Sequence, residues 1–377
     1  MKLSRPVWME IDHQQVRDNL EMIKKALKPA TDLRLVLKDD AYSCGALAIG
    51  RTGWDFGIRN YAVSNMEEAL ELRQALPKAN ILVLGYTGED MFEEALSHDI
   101  SLALWNRPMA ERLNQEALSQ GKKAGIQLVV DTGLSRLGFL PDQASLEEIK
   151  AIVALEGLRL EGVYSHFART ETEDDQFSLD QIQTFKDFTQ ALEDMGIGPI
   201  FRHMSDSAGI IKFGEAGLEG VRSGALPIGS MTGRHVLKED KKFPLKSAMS
   251  LYCRIARVQD FPAGRSVSYD GTFEAQAPIR VVTLPLGYGD GLPYALAGKM
   301  EVLIGGQRCR QIGAMNMDMI MVDATGVFCQ QGDTVVLLGR QGQEEITLDD
   351  WSLWGGKSST FFQAMLRDRI PKRHINL

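Results

Sequence analysis

Ile126-Gln127-Leu128-Val129-Val130 runs straight into Asp131-Thr132-Gly133-Leu134-Ser135-Arg136, a helical period follows over 146–155, and a second apolar run over 160–165 stops at His166. A short apolar run, a polar loop, an amphipathic helix and another apolar run make up the unit that joins two parallel strands. The same alternation extends in both directions. Strand-like runs at 33–37, 61–64, 81–84 and 102–105 precede the quoted unit, and runs at 200–204 and 218–221 follow it. Helical periods at 66–76, 91–97, 109–120 and 179–195 lie between them, with apolar residues recurring every three or four positions. Eight such strands predict an α/β fold that closes as a (β/α)8, TIM-like barrel. An open doubly wound sheet is the alternative, but no G-x-G-x-x-G follows the first strand to mark a dinucleotide site.

Beyond residue 240 the pattern changes. Runs at 250–258, 279–286, 300–304, 319–323 and 334–338 follow one another closely, separated by glycine-bearing turns. That spacing predicts a mainly antiparallel β domain over 241–377, behind a barrel over 1–240. No flexible tract separates the halves, and no fixed-period repeat occurs.

Composition narrows the function. Of 377 residues, 44% are apolar and 24% charged, and the net charge of −8 is spread without long blocks of one sign. A basic footprint for nucleic acid or for a membrane surface is missing, which leaves small molecules and protein partners. The four cysteines, Cys44, Cys253, Cys309 and Cys329, form no C-x-x-C pair. The first dozen residues lack a signal-peptide core, and no apolar run is long enough to span a bilayer. A cytoplasmic location is therefore expected.

In a barrel of this type, chemistry collects at the C-terminal ends of the strands, where eight loops converge. The first strand ends in Lys38, with Tyr42 close behind; the fifth ends in Asp131 to Arg136 and the sixth at His166. The seventh leads into His203-Met204-Ser205-Asp206-Ser207 and the eighth into Arg222-Ser223-Gly224-Ala225. Each alone has an ordinary reading as a solvated lysine, a core histidine or a salt-bridging arginine. Together they point elsewhere. A desolvated lysine among Arg136 and Arg222 should lose proton affinity, the condition for forming a Schiff base with an aldehyde. Ser207, Gly224 and Ala225, after strands seven and eight, lie where many barrels bind a phosphate. An aldehyde-carrying phosphate would satisfy both features.

These residues resemble, in order and over nearly the whole chain, the alanine racemase family. Lys38 with Tyr42 is similar to the K-A-N-A-Y-G-H-G segment, and 203–207 to H-x-A-N-S. In the second domain 268–273 resembles S-Y-G-x-T-[FY] and 287–291 resembles G-Y-A-D-G, while Met317-Asp318 and the closing Arg369-Ile370-Pro371-Lys372-Arg373 complete the series. The resemblance implies a pyridoxal 5'-phosphate enzyme that interconverts L- and D-alanine, the latter for peptidoglycan, as a homodimer whose active sites are shared between subunits. Lys38 would hold the cofactor and serve one face of the substrate Cα, and Tyr269 of the partner subunit would serve the other. Arg222 would face the pyridine nitrogen with His166 in support, and Arg136 would meet the cofactor's phenolate oxygen and the substrate carboxylate. Tyr42, Ser207, Gly224 and Ala225 would hold the phosphate. Met317 and Asp318, with Tyr288 at the entrance, would complete the substrate site.

Several positions depart from the family pattern. Val129 stands where many members carry a carbamylated lysine that buttresses the equivalent of Arg136. Asp39, Asp40, Ser43 and Cys44 replace Ala, Asn, Gly and His, and Asp206 replaces Asn. Counting back from Arg369-Ile370-Pro371 puts Thr360 where the family has a phosphate-touching tyrosine, which predicts a wider pocket. Racemisation of serine or of a broader set of amino acids is therefore a second expectation. A non-catalytic cofactor-binding protein would resemble the barrel alone. A decarboxylase on the same architecture would need a second-domain cysteine, and neither Cys309 nor Cys329 lies in the matching context.

Overall fold

The computed structural model describes residues 5–230 and 243–377; the division placed at residue 240 lies outside the described residues. Strand β1 (Val7–Asp12) comes first, and then eight strands alternate with helices: β2 (Asp32–Val36), β3 (Asn60–Val63), β4 (Asn80–Val83), β5 (Ile100–Leu104), β6 (Ala124–Val129), β7 (Leu158–Tyr164), β8 (Arg202–His203) and β9 (Gly220–Ser223). They pair in that order, all parallel, and β9 returns to β2 to close the barrel. The crossover helices start on local signals. Asn65, Asn106 and Asp142 each accept a backbone N–H from the first turn of the helices Met66–Ala75, Arg107–Ser119 and Gln143–Val153.

Alternation along the strands sorts the barrel side chains. Leu35, Tyr61, Ile81, Leu102, Ile126, Leu128 and Val163 face the helices and belong to the main core. Val36, Ala62, Leu82, Ala103, Val129 and Tyr164 form a separate interior cluster below the barrel mouth. Arg34, Asn60, Asn80, Ser101 and Gln127, two positions earlier on the same strands, share that inward parity, so the lower interior is polar.

The second sheet comprises β10 (Met249–Arg254), β11 (Arg257–Phe261), β12 (Ile279–Leu284), β13 (Glu301–Ile304), β14 (Gln307–Ile312), β15 (Ile320–Asp323), β16 (Thr334–Gln341), β17 (Glu344–Ile346) and β18 (Lys372–Ile375). Its order is β11-β12-β15-β14-β13-β16-β10-β1-β18, with β17 on β16. Strand β1 thus lies in this sheet, antiparallel to β10 and parallel to β18. The single run expected at 250–258 is two strands, because the chain turns at Ile255 and Ala256 to pair β11 with β12 instead of β16. No helix among the described residues is long and apolar enough to cross a membrane.

Candidate active site

Lys38 leaves the top of β2 and opens an unusual turn. Asp39, Asp40, Ala41, Tyr42 and Ser43 all have positive φ, between 51° and 65°. Left-handed backbone costs a residue with a Cβ about 1–2 kcal/mol, so consecutive residues in this state need support from outside the turn. Glu68 accepts the Asp39 N–H at 2.6 Å, and Asp40 accepts the Ala46 N–H at 2.7 Å and Lys372 Nζ at 2.6 Å. Ser43 Oγ donates to Leu366 O at 2.8 Å. The second domain therefore holds the far side of the turn that presents Lys38 and Tyr42.

Both side chains line a cavity of about 430 Å3 together with Arg136, His166, Ser207, Arg222, Gly224, Ala225 and Thr360. Nine residues singled out from scattered positions in the sequence thus share one cavity. Burial lowers the proton affinity of Lys38, and the Arg136 charge lowers it further, against the pull of Asp206, Asp39 and Glu68. The arginine that weighs on it is Arg136 rather than Arg222. Burial, then Asp206, Asp39 and Glu68, raise the Tyr42 pKa, so its hydroxyl stays protonated. Burial lowers the His166 pKa to about 4, with Arg222, Arg136 and Lys38 adding to the effect and Asp206, 4.0 Å away, opposing it. His166 is therefore neutral near pH 7, and its Nδ1 accepts Arg222 Nη2 at 3.3 Å.

Arg222 is buried and held by neutral acceptors. Its Nη2 donates to Ser165 O at 2.7 Å and Met204 O at 3.2 Å, and its Nη1 to His203 Nδ1 and His203 O. Arg136 pairs with no carboxylate among the described residues, and Val129, packed into the interior cluster and lining a small cavity with Arg136, has no polar atom to buttress it. Asp131 shapes the Arg136 loop by accepting the N–H groups of Gly133 and Ser135.

The phosphate expectation can be tested on the hydroxyl side of the cavity. A Cβ on Gly224 would lie 2.5 Å from Tyr42 Cε2, so only glycine lets the ring sit there. Ser207 Oγ lies 3.1 Å from Ser223 Oγ and accepts the Ala225 N–H at 3.1 Å. Hydroxyls on one side, with Lys38, Arg136 and Arg222 around the rest, suit a dianion joined to an aldehyde.

Apart from Thr360, the second-domain candidates lie elsewhere. Tyr269, Tyr288, Met317 and Asp318 do not line this cavity. They gather on one exposed face: Ser268 Oγ donates to Asn316 Oδ1 at 3.0 Å, the Tyr288 N–H to Asn316 O at 3.1 Å, and the Gly289 N–H to Met317 O at 2.8 Å. Tyr269 is 65% exposed and Met317 53%, while Asp318 is held by Arg369 at 2.8 Å. Sequence reasoning missed Ser64, Tyr164 and Glu171, which also line the cavity. Tyr164 was hidden inside an apolar run, and only its inward parity distinguishes it.

Residues 11–231 match the alanine racemase N-terminal domain family, and residues 248–374 match the C-terminal domain family. An alanine racemase of Desulforamulus reducens is 33% identical over 99% of this chain and 100% of its own length. Among solved structures, the alanine racemase of a D-cycloserine-producing Streptomyces lavendulae superposes with a TM-score of 0.94 at 28% identity, covering 100% of this chain and 98% of that one. The alanine racemase of Clostridium difficile 630 gives 0.92 at 28% identity, over 99% and 97%. Fold, cavity and full-length likeness together define the class, an isomerase acting as an amino-acid racemase. The chain belongs to the alanine racemase family.

Proposed function

We propose that the chain interconverts L- and D-alanine with pyridoxal 5'-phosphate as cofactor, using Lys38 and the partner subunit's Tyr269 as two bases, and that it accepts side chains larger than methyl. The observation that carries the reading is the convergence of a lysine of lowered proton affinity, two arginines and a hydroxyl cluster in one cavity of about 430 Å3. Bound there, the cofactor would supply an aldehyde to capture the amino group and a ring to withdraw electron density from Cα. Lys38, whose hold on a proton is weakened by burial and by Arg136, can exchange a proton at Nζ on one face of the substrate. Racemisation needs a second proton carrier on the opposite face. Tyr269, exposed on an aromatic and methionine-bearing surface with Tyr288, Tyr294 and Met317, suits delivery into another subunit's cavity. Tyr42, Ser207, Gly224 and Ala225 would hold the phosphate, and Thr360 would add a hydroxyl. Arg222 would face the ring nitrogen with a charge that guanidinium does not give up, which limits how far electron density runs into the ring. His166, neutral, keeps Arg222 aimed. Arg136, free of a carboxylate partner among the described residues, can meet the substrate carboxylate, with Met317, Asp318 and Tyr288 of the partner subunit completing the substrate site.

Thr360 lines the cavity where the family has a tyrosine, which supports serine and longer side chains as substrates. The test is incubation of single enantiomers of alanine and serine in deuterated water with cofactor-loaded protein. Deuterium at Cα accompanied by loss of optical rotation is expected. Tyr269→Phe should slow one direction more than the other, and Lys38→Ala should abolish the visible absorption of the lysine-bound cofactor. No such absorption in the wild-type protein would end the reading.

A further inference from the structure

The barrel interior below the cavity carries a hydrogen-bonded file ending in Arg222, whose other members, Arg34, Gln127 and His203, none of the proposed catalytic steps uses. Arg34 on β2 and Arg222 on β9 are direct neighbours in the parallel register, so two guanidiniums stand side by side on the inner face of the barrel. Both are buried, at 8% and 4% exposure. Like charges at paired positions repel, and buried ones do so with little screening. Asp32 and Glu161 offset the Arg34 charge from below. Between the two arginines lie Gln127 and His203. His203 Nδ1 is 2.5 Å from Arg222 Nη1, and His203 Nε2 is 2.7 Å from the Gln127 amide. The other end of that amide is 3.1 and 3.2 Å from the two Arg34 Nη atoms.

Counting donors along this file exposes a conflict. Arginine only donates, a neutral imidazole has one donor and one acceptor nitrogen, and an amide has one accepting and one donating end. If Arg222 donates to His203 Nδ1, then Nε2–H donates to the Gln127 oxygen and the Gln127 NH2 is turned against Arg34. If Gln127 accepts from Arg34, its NH2 donates to His203 Nε2 and the Nδ1–H is turned against Arg222. The three junctions cannot all be satisfied. In either arrangement Arg34 Nε is a buried donor with no partner.

We propose that Arg34 and Gln127 are positioning residues for Arg222: the orientation of the Gln127 amide, biased by Arg34, selects the His203 tautomer and so decides whether Arg222 Nη1 is held down by His203 or released toward the cavity. This rests on the reading that Arg222 faces the ring nitrogen of the bound cofactor. Gln127→Glu removes the conflict, because a carboxylate accepts from both Arg34 and His203 Nε2–H, which locks Arg222 onto Nδ1. Gln127→Met, close to isosteric, removes the link and leaves Arg222 and His203 uncoupled from Arg34.

The experiment is 15N NMR of holoenzyme loaded with ring-15N pyridoxal phosphate, alongside steady-state kinetics. Gln127→Glu and Gln127→Met are expected to shift the ring-nitrogen resonance in different directions and to change kcat on the order of tenfold at nearly unchanged KM, as loss of aim at the reacting group does. Arg34→Met should move the resonance in wild type but not in the Gln127→Met background, because the two act through one link. Ser101→Ala, in the same lower interior but outside the file, should leave the resonance where it is. A wild-type ring resonance that none of the Gln127 and Arg34 variants moves, in protein that still binds cofactor, overturns the proposal. A wild type with no bound-ring resonance at all overturns the cofactor reading instead.

Discussion

Thr360 turns a substitution of one side chain into a statement about substrate. Its hydroxyl lies 3.2 Å from Ser358 Oγ at the cavity wall. Thr360→Tyr should fill the wall and lower the serine-to-alanine ratio of kcat/KM on the order of tenfold, within the range that small changes in pocket volume produce. Competition assays with both amino acids measure that ratio directly; an unchanged ratio would show that the wall does not choose the side chain. His13 makes a separate prediction about pH. Its Nδ1 lies 2.5 Å from Thr52 Oγ1, which itself donates to Ala48 O, and its Nε2 lies 2.9 Å from His374 Nδ1, so both nitrogens of the neutral ring are engaged. Burial first, then the charges of His374 and Arg17, lower its pKa to about 4. Below about pH 6.5 the unfolded chain takes up a proton that the folded chain refuses until about pH 4. The unfolded state therefore binds more protons in that window, and stability falls as the pH drops, by roughly 3 kcal/mol from this residue alone. Urea unfolding at stepped pH should show that slope, and His13→Gln should flatten it. At this scale the barrel's cavity residues were legible because they lie at or just beyond strand ends, and Thr360 by counting back from the closing Arg369-Ile370-Pro371, whereas Arg34 and Gln127 were not. A polar residue within an apolar run gives no sign of facing inward until strand parity is known.

The turn at 38–43 is the element on which the site depends most. Its left-handed residues have side chains that are not glycine, so the conformation persists through contacts made by neighbouring elements. Lys372 on β18 supplies the ionic one. Burial opposes its charge, but hydrogen bonds with Asp368 and Asp40 outweigh that and raise its pKa. Lys372→Met should cost about 1–3 kcal/mol of stability, as loss of a partner from a half-buried charge pair does, and should weaken cofactor binding through the displaced Lys38 turn. Asp40→Asn keeps an acceptor for the Ala46 N–H and should cost less. Calorimetry and cofactor titration of both variants check this, and wild-type cofactor affinity in Lys372→Met would show that the turn does not need the brace. Among the elements, the barrel strands could be read from sequence because strands buried on both faces appear as short continuous apolar runs. Strand β1 could not. Its neighbours in the sheet lie beyond residue 248, and nothing local to Val7–Asp12 shows that.

At the scale of the whole molecule, the separation of Lys38 from Tyr269 within one chain leads to a complementation test. Lys38→Ala and Tyr269→Ala homodimers should each be nearly inactive. On mixing with subunit exchange, half of the dimers become mixed, and each mixed dimer has one intact site out of two, so about a quarter of wild-type activity should return. Activity that stays at the level of the two parents after exchange, verified by native mass spectrometry, would place both bases in one subunit or remove one of them from the reaction.

The position of β1 has a consequence for the nascent chain. The ribosome makes this strand before any part of the barrel, yet its partners β10 and β18 are made only after the barrel is complete. Throughout barrel synthesis β1 carries an unpaired edge of six residues, including Val7, Trp8, Met9 and Ile11, which end buried. Chaperone capture of ribosome-bound chains stalled just after β9 should therefore map to this first strand, and should cease once β18 has emerged.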